Sequence, residues 1–179
     1  MSKNNFKVLR PGINTTFQDL GRDNLYHVGL PFSGAIDKRN FLIANSIITN
    51  REDDAVLEFA YQGPLLEFSG IKTSFVITGN VNFKIIKKDT SEIKGECYRT
   101  YDLDNKDRLD IISTEKSVYG YLSVKGGFKL NKFCNSYSTT VRAEIGPNDG
   151  KKIEIGQTII LNSADSSIKK SLEYFNSKI

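Results

Sequence analysis

The chain is written as short runs rich in Val, Ile, Phe and Tyr, each broken within a few residues by Gly, Asn or Asp. That punctuation excludes a helical architecture, because β-branched and aromatic residues suit a half-buried pleated surface and the turn residues end each run before a helix can propagate. The clearest strand candidates fall at 55–60, 74–78, 83–87, 108–113, 118–124 and 152–161. In the last of these, Ile153, Ile155, Thr158 and Ile160 alternate as in a strand with one buried face, and Gly156 marks a turn or bulge inside the segment. Strands this short and this numerous predict a mainly β protein, either an antiparallel sandwich or a barrel.

Two segments depart from the pattern. Between 37 and 48, Phe41, Ala44 and Ile48 recur at helical spacing, with Asp37 placed to cap the start and Asn50 to take a left-handed turn at the end. Near the C-terminus, Ile168, Leu172 and Phe175 share one helical face, with Ser163 or Asp165 as the cap. The 179 residues therefore read as one domain over 6–162, followed by a linker and terminal helix over 163–179 packed on its outside.

Composition narrows the function classes. Hydrophobic residues make up 39% of the chain and charged residues 26%, with 8 Tyr and 11 Phe, enough for a packed core without a metal or disulfide staple. The net charge of +4 is carried by lysines scattered among acids, not by a basic stripe interleaved with aromatics, which sets nucleic-acid binding aside. No apolar run reaches the ~20 residues of a membrane span. The opening Met1-Ser2-Lys3-Asn4-Asn5 lacks the apolar stretch of a secretory signal, so a cytoplasmic location is expected. Cys97 and Cys134 stand far apart and are expected as reduced, packed thiols. With His27 as the single histidine and no cysteine pair, no metal site is expected. His27 itself, beside Tyr26, reads as a packed or surface residue rather than an acid or base.

Familiar catalytic motifs are missing. The stretch Gly146-Pro147-Asn148-Asp149-Gly150-Lys151-Lys152 is one residue short of a P-loop and lacks its hydroxyl. Ser33 lies in Leu30-Pro31-Phe32-Ser33-Gly34, without the first glycine of a nucleophile elbow. Glu58 and Glu67, on alternating strands, read as exposed carboxylates and receive no acid or base role. Polar and turn residues concentrate instead between Arg10 and Asp37. This stretch gathers Gln18, Asp19, Arg22, Ser33 and Asp37 into compact loops whose glycines let the backbone approach a ligand or another chain. Two readings stay open at this level: the side chains form a binding surface, or Asp19 pairs with Arg22 to pin a turn while Asp37 only caps the helix.

The run Leu9-Arg10-Pro11-Gly12-Ile13-Asn14-Thr15-Thr16-Phe17-Gln18-Asp19-Leu20-Gly21-Arg22, followed by Gly29-Leu30-Pro31-Phe32-Ser33-Gly34-Ala35-Ile36-Asp37, resembles the opening signature of the biotin-dependent carboxyltransferase family. That family includes the C-subunit of bacterial 5-oxoprolinase, allophanate hydrolase subunit 2 and the carboxyltransferase segment of urea carboxylase. Further matches follow in register, among them Leu42-Ile43-Ala44-Asn45, Leu57-Glu58, Gly63-Pro64-Leu65-Leu66-Glu67-Phe68 and Ser136-Tyr137-Ser138-Thr139, and they cover nearly all of 6–161. The resemblance implies a cyclophilin-like antiparallel β-barrel that corresponds to the N-terminal half of a usual family member. It also implies a family-specific surface at Gln18, Asp19, Arg22, Ser33, Gly34 and Asp37, with Asn45, Glu58 and Ser136 as lesser candidates and no catalytic residue assigned. Two departures are local. Asp23-Asn24 displaces a glycine usual after the arginine, and Asn135-Ser136-Tyr137-Ser138-Thr139 stands where the family has Gly-Ser-Arg-Ser-Thr. Tyr137 thereby removes a planar cationic fork suited to a carboxylate or phosphate.

For the stand-alone bacterial members the resemblance implies an ATP-dependent amidohydrolase complex that opens 5-oxo-L-proline to L-glutamate. Without a P-loop or a catalytic triad, this chain is expected to be inactive alone and to work with 5-oxoprolinase subunits A and B, the ATP chemistry arising in the assembled complex. A lactam amide is resonance-stabilised, so coupling to ATP, by phosphorylation of the amide oxygen before water attacks, is chemically sensible. Arg22 is then expected to pair with the substrate carboxylate or a phosphate, and Gln18 and Ser33 to hydrogen-bond the lactam. The alternatives are a non-catalytic module that antagonises a kinase-inhibiting partner, and carboxyl transfer from carboxybiotin to a small amide with the biotin on another chain. The absent second half also predicts an exposed apolar face, and hence an oligomer or heteromer.

Overall fold

The computed structural model describes residues 3–162. The terminal helix predicted after 163 lies outside them. Among the described residues the chain forms β1 (Asn5–Arg10), β2 (Thr16–Gln18), α1 (Lys38–Ile47), β3 (Val56–Ala60), β4 (Leu65–Ser69), β5 (Lys72–Gly79), β6 (Val81–Ile86), β7 (Glu92–Lys94), β8 (Thr100–Asp104), β9 (Arg108–Thr114), β10 (Tyr119–Val124) and β11 (Thr158–Ile160). The fold is mainly β, as the punctuation of the sequence predicts.

The strands make two antiparallel sheets, one ordered β11-β1-β4-β9-β6-β7 and the other β2-β3-β10-β5-β8. Each sheet ends in two unpaired edges, so the closed barrel is replaced by two facing sheets. Closure would need those edges to pair, and β2, β7 and β11 have only three residues each, too few to carry a closing ladder. The core lies between the sheets. Phe6 and Val8 of β1, Phe68 of β4 and Phe83 and Ile85 of β6 point inward to meet Phe17, Leu57, Phe59, Phe75 and Leu122 from the other sheet. Edge-to-face rings, Phe6 on Phe68 at 5.7 Å and Phe17 on Phe128 at 5.3 Å, fill the centre. Each buried phenylalanine removes enough apolar surface to contribute about 1.5–3 kcal/mol.

The outer face of the five-stranded sheet is covered as well. Helix α1 lays Phe41 against Val56 and Tyr121, and Ala44 and Ile48 against Val76. Asp37 caps it as the sequence predicts, its carboxylate accepting from the Asn40 N–H at 3.0 Å. At the other end the left-handed residue is Thr49, with φ of 54°, and not Asn50. The Asn50 side chain is drawn instead to the end of β10, donating to the Val124 carbonyl at 2.7 Å and accepting from the Gly126 N–H at 2.9 Å. Nearby, the buried Asn45 donates to the Asp54 carbonyl and accepts from the Ser123 hydroxyl, both at 2.7 Å, and so locks α1 to the sheet.

Other expectations change. The segment at 152–161 is a strand only over Thr158–Ile160, because the chain turns at Gly156 and leaves Ile155 exposed. Strands β1, β2, β4, β7 and β8 are not among the sequence candidates. Both cysteines are free, but only Cys97 is half-buried, its thiol donating to the Val81 carbonyl at 3.3 Å, while Cys134 is exposed on a turn. Among the described residues no helix is long and apolar enough to cross a membrane, and no group of three His, Cys, Asp or Glu could hold a metal ion.

Candidate functional site

Residues 19–37 leave β2, lie over the outer face of the five-stranded sheet at Glu58 and Tyr121, and interlock with the segment 133–140. Asp19 is the hub. Its Oδ1 accepts from the Gly21 N–H at 2.8 Å, the Ser136 hydroxyl at 2.7 Å and the Ser138 hydroxyl at 2.5 Å, and its Oδ2 accepts from the Tyr137 N–H at 2.5 Å. A buried carboxylate needs this density of donors to offset the water it loses. The partner segment is shaped to deliver them. Phe133 and Ser136 exchange backbone bonds at 2.9 and 3.1 Å across Cys134 and Asn135, both with positive φ, as in a tight primed hairpin turn.

Arg22 grips the same segment from another side. It is 2% exposed, and its guanidinium donates to the Ser138 carbonyl and, at 3.2 Å, to the Thr140 hydroxyl, while Phe133 covers it at 5.7 Å. Burial pushes its pKa down and the nearby Asp19 pulls it back up. Asp19 and Arg22 make no direct ion pair among the described residues; each is tied to 136–140 instead. The Ser33 hydroxyl shares a hydrogen bond with the Thr140 hydroxyl. It therefore meets another hydroxyl rather than a base, and nothing here activates it as a nucleophile. Gly34, at φ 93°, lies so close to the preceding loop that a Cβ would sit 2.9 Å from the Gly21 nitrogen. Gln18 donates to the Thr16 hydroxyl and the Thr139 carbonyl, both at 2.9 Å, and leaves its own Oε1 buried and unpartnered.

A second knot adjoins the first. Glu58 on β3 is 5% exposed, contrary to the reading of an exposed carboxylate. Its Oε2 accepts from the Ile36 N–H at 2.8 Å and the Tyr121 hydroxyl at 2.9 Å, and the Tyr121 oxygen in turn accepts from the Asp37 N–H at 2.7 Å. Burial, with the charge of Asp37, raises the Glu58 pKa, and the two donors draw it partly back. Burial beside Glu58 also pushes the Tyr121 phenol far up, so it stays protonated and donates. Glu67, by contrast, is half-buried against Lys106 and Arg108; burial works to raise its pKa, and these two cations outweigh it and lower the value.

The structure thus brings together Gln18, Asp19, Arg22, Ser33, Gly34 and Ser136 in one knot and Asp37 and Glu58 in its neighbour. Asn45 shares no bond with either, and His27 is exposed. Sequence reasoning nominates only Ser136 from the partner segment and misses Ser138, Thr139 and Thr140, as well as Thr16 and Tyr121. The unbroken polar run at 135–140 is the signal that could have found the first three. Beside this turn Lys132 places its ammonium 4.9 Å from the Tyr137 ring and pairs with Asp53 at 3.3 Å.

The same two-sheet β domain recurs inside far larger proteins. The Kluyveromyces lactis urea amidolyase structure superposes with a TM-score of 0.83 at 27% identity over 92% of this chain, and 10% of that one. Among curated relatives, urea amidolyase of Saccharomyces cerevisiae is 28% identical over 93% of this chain and 9% of its own length. The 5-oxoprolinase C-subunit of Haemophilus influenzae is 31% identical over 87% of this chain. The chain belongs to the family described as carboxyltransferase domain, subdomain A and B, which matches residues 28–178. It spans about half the length of the Haemophilus influenzae relative, 48%.

Proposed function

We propose that this chain is one subunit of a cytoplasmic ATP-dependent 5-oxoprolinase, a hydrolase in which it is inactive alone and acts with partner subunits A and B. The observation that carries the reading is the 31% identity to a 5-oxoprolinase C-subunit along 87% of the chain. The stretch of this chain that comes nearest to a P-loop does not fit a nucleotide. In the stretch closest to a P-loop the Gly150 N–H is used by the Gly146 and Pro147 carbonyls at 3.2 Å and the Lys151 N–H by the Asn148 carbonyl at 2.9 Å. Gly150 itself is pressed against the Glu144 backbone, so no cradle opens for a phosphate. Nucleotide handling is therefore assigned to the partners.

The test is reconstitution with subunits A and B, following 5-oxo-L-proline-dependent ATP hydrolysis together with glutamate release. Turnover is expected only in the full mixture. A fully assembled mixture that leaves 5-oxo-L-proline untouched, or this chain turning it over unaided, rejects the reading. A second reading, carboxyl transfer to a small amide such as urea, draws on the superposition with urea amidolyase. It would appear as urea-dependent consumption of carboxybiotin supplied by a biotin-bearing chain.

A further inference from the structure

Four polar residues stand opposite one another across four strands. Thr16 on β2 pairs with Glu58 on β3, Glu58 with Tyr121 on β10, and Tyr121 with Thr78 on β5. All four are buried, at 3%, 5%, 0% and 0% exposure, on a face where they lie beside the apolar Phe41, Ala44, Val56 and Val76. Such a row destabilises a core unless every group is satisfied. Three members are: Thr78 donates to the Asn40 carbonyl at 2.8 Å, Tyr121 donates to Glu58, and Thr16 accepts from Gln18. The exception is Glu58. Both of its donors converge on Oε2, and Oε1 has no hydrogen-bond partner among the described residues.

This asymmetry separates two roles within one side chain. Holding the Ile36 N–H and the Tyr121 hydroxyl needs only a neutral acceptor, which a glutamine would supply equally well. A carboxyl group is required only where a proton is exchanged. We propose that Glu58 is the acid–base residue of this domain, anchored through Oε2 and transferring a proton through Oε1 to or from the nitrogen of an amide substrate brought against residues 33–37. The proposal rests on the functional reading above only for the identity of that amide.

For a lactam carrying a phosphoryl group on its amide oxygen, placed there from ATP by the partner chains, water adds to the ring carbon, the C–N bond breaks to leave an acyl phosphate, and the departing nitrogen takes the proton from Glu58 Oε1. The proton lost by the water then restores Glu58, and a second water splits the acyl phosphate into glutamate and phosphate, so the balance is that of ATP-coupled hydrolysis. An amide nitrogen leaves poorly unless protonated, and a carboxyl that burial makes hold its proton more tightly is suited to deliver one. The groups facing Glu58 agree. Asp37, from the start of α1, disfavours the Glu58 carboxylate, and burial keeps the Tyr121 phenol from β10 protonated, so its hydroxyl stays committed to Oε2.

The experiment uses the full chain in two ways. In the reconstituted complex, Glu58→Gln is expected to fold and assemble while lowering kcat by about 10²–10⁴-fold and leaving KM within about threefold. In the isolated chain carrying ¹³C-labelled glutamate, the Glu58 carboxyl resonance is expected to titrate above the other glutamates, and its midpoint is expected to move when 5-oxo-L-proline or urea is added. Should Glu58→Gln fail to fold, Glu58→Asp assigns the resonance and the titration decides. Wild-type rate and pH profile in Glu58→Gln overturns the proposal, as does a midpoint that neither probe moves. A wild-type complex inert toward 5-oxo-L-proline, with a midpoint moved by urea, removes the 5-oxoprolinase reading and leaves the acid–base assignment standing.

Discussion

Asp19 and Ser136 are separated by 117 positions in the chain and by 2.7 Å between carboxylate and hydroxyl. Three further donors meet the same carboxylate, so its removal leaves buried groups without partners on both loops. Asp19→Ala is expected to cost about 3 kcal/mol of folding stability, and Asp19→Asn less because one acceptor oxygen remains. Urea unfolding monitored by tyrosine fluorescence measures both. An alanine variant as stable as the wild type would mean that the knot contributes nothing.

Arg22 reaches two acceptors, the Ser138 carbonyl and the Thr140 hydroxyl, from one planar group. A lysine carries the charge but not the fork. Arg22→Lys is therefore expected to speed amide exchange at 136–140 by about tenfold, the equivalent of ~1.4 kcal/mol, while Leu57 and Leu122 in the central strands keep their protection. Unchanged exchange at 136–140 contradicts the gripping role.

Gly34 combines a left-handed backbone with contact against the backbone of Leu20 and Gly21. Gly34→Ala adds both strain and a clash, and a loss of about 2 kcal/mol or more is expected. Gly29 has a similar φ but open space around it, so Gly29→Ala should cost distinctly less. Thermal unfolding of the two variants side by side makes the comparison, and equal losses would show that the close approach of the loops is unimportant.

Burial makes the folded chain hold the Glu58 proton more tightly than the unfolded chain does. Where the native state binds more protons, stability falls as pH rises, so this contribution is full below the ordinary glutamate range and is lost as pH climbs through the raised value. Glu58→Gln lacks the titration. The unfolding midpoint of the wild type is expected to fall relative to that of Glu58→Gln over the window that opens at the ordinary glutamate value of about 4.3 and extends upward from it. A difference flat across that window contradicts the raised pKa.

Local signals are legible in the sequence and long-range ones are not. Helix α1 can be read because Asp37, Phe41, Ala44 and Ile48 act within a few turns of one another, whereas Asn50 is misplaced because β10 recruits its side chain. Glu58 looks exposed in sequence because alternation assumes that one face of a strand meets water. In β3 both faces are covered, one by the core and the other by α1 and the loop at 33–37, and all five residues are buried. Strand β8 carries a single buried residue, Leu103, and so offers no alternation to detect. The cluster of Gln18, Asp19, Arg22 and Ser33 is visible as a local density of polar and turn residues. Its partners at 138–140 are hidden because nothing near them in the chain announces where they go.

The pairing of β1 with β11, in which Asn5 stands opposite Ile160, sets the order in which the molecule can be completed during synthesis. A ribosome delivers Asp19 and Arg22 more than a hundred residues before the segment that hydrogen-bonds and covers them. Through that interval the two charges keep their water, and the signature loop stays open while the neighbouring strands find their partners. Dehydration of the loop thus reports that translation has passed residue 140, so prematurely terminated chains lack an assembled signature surface.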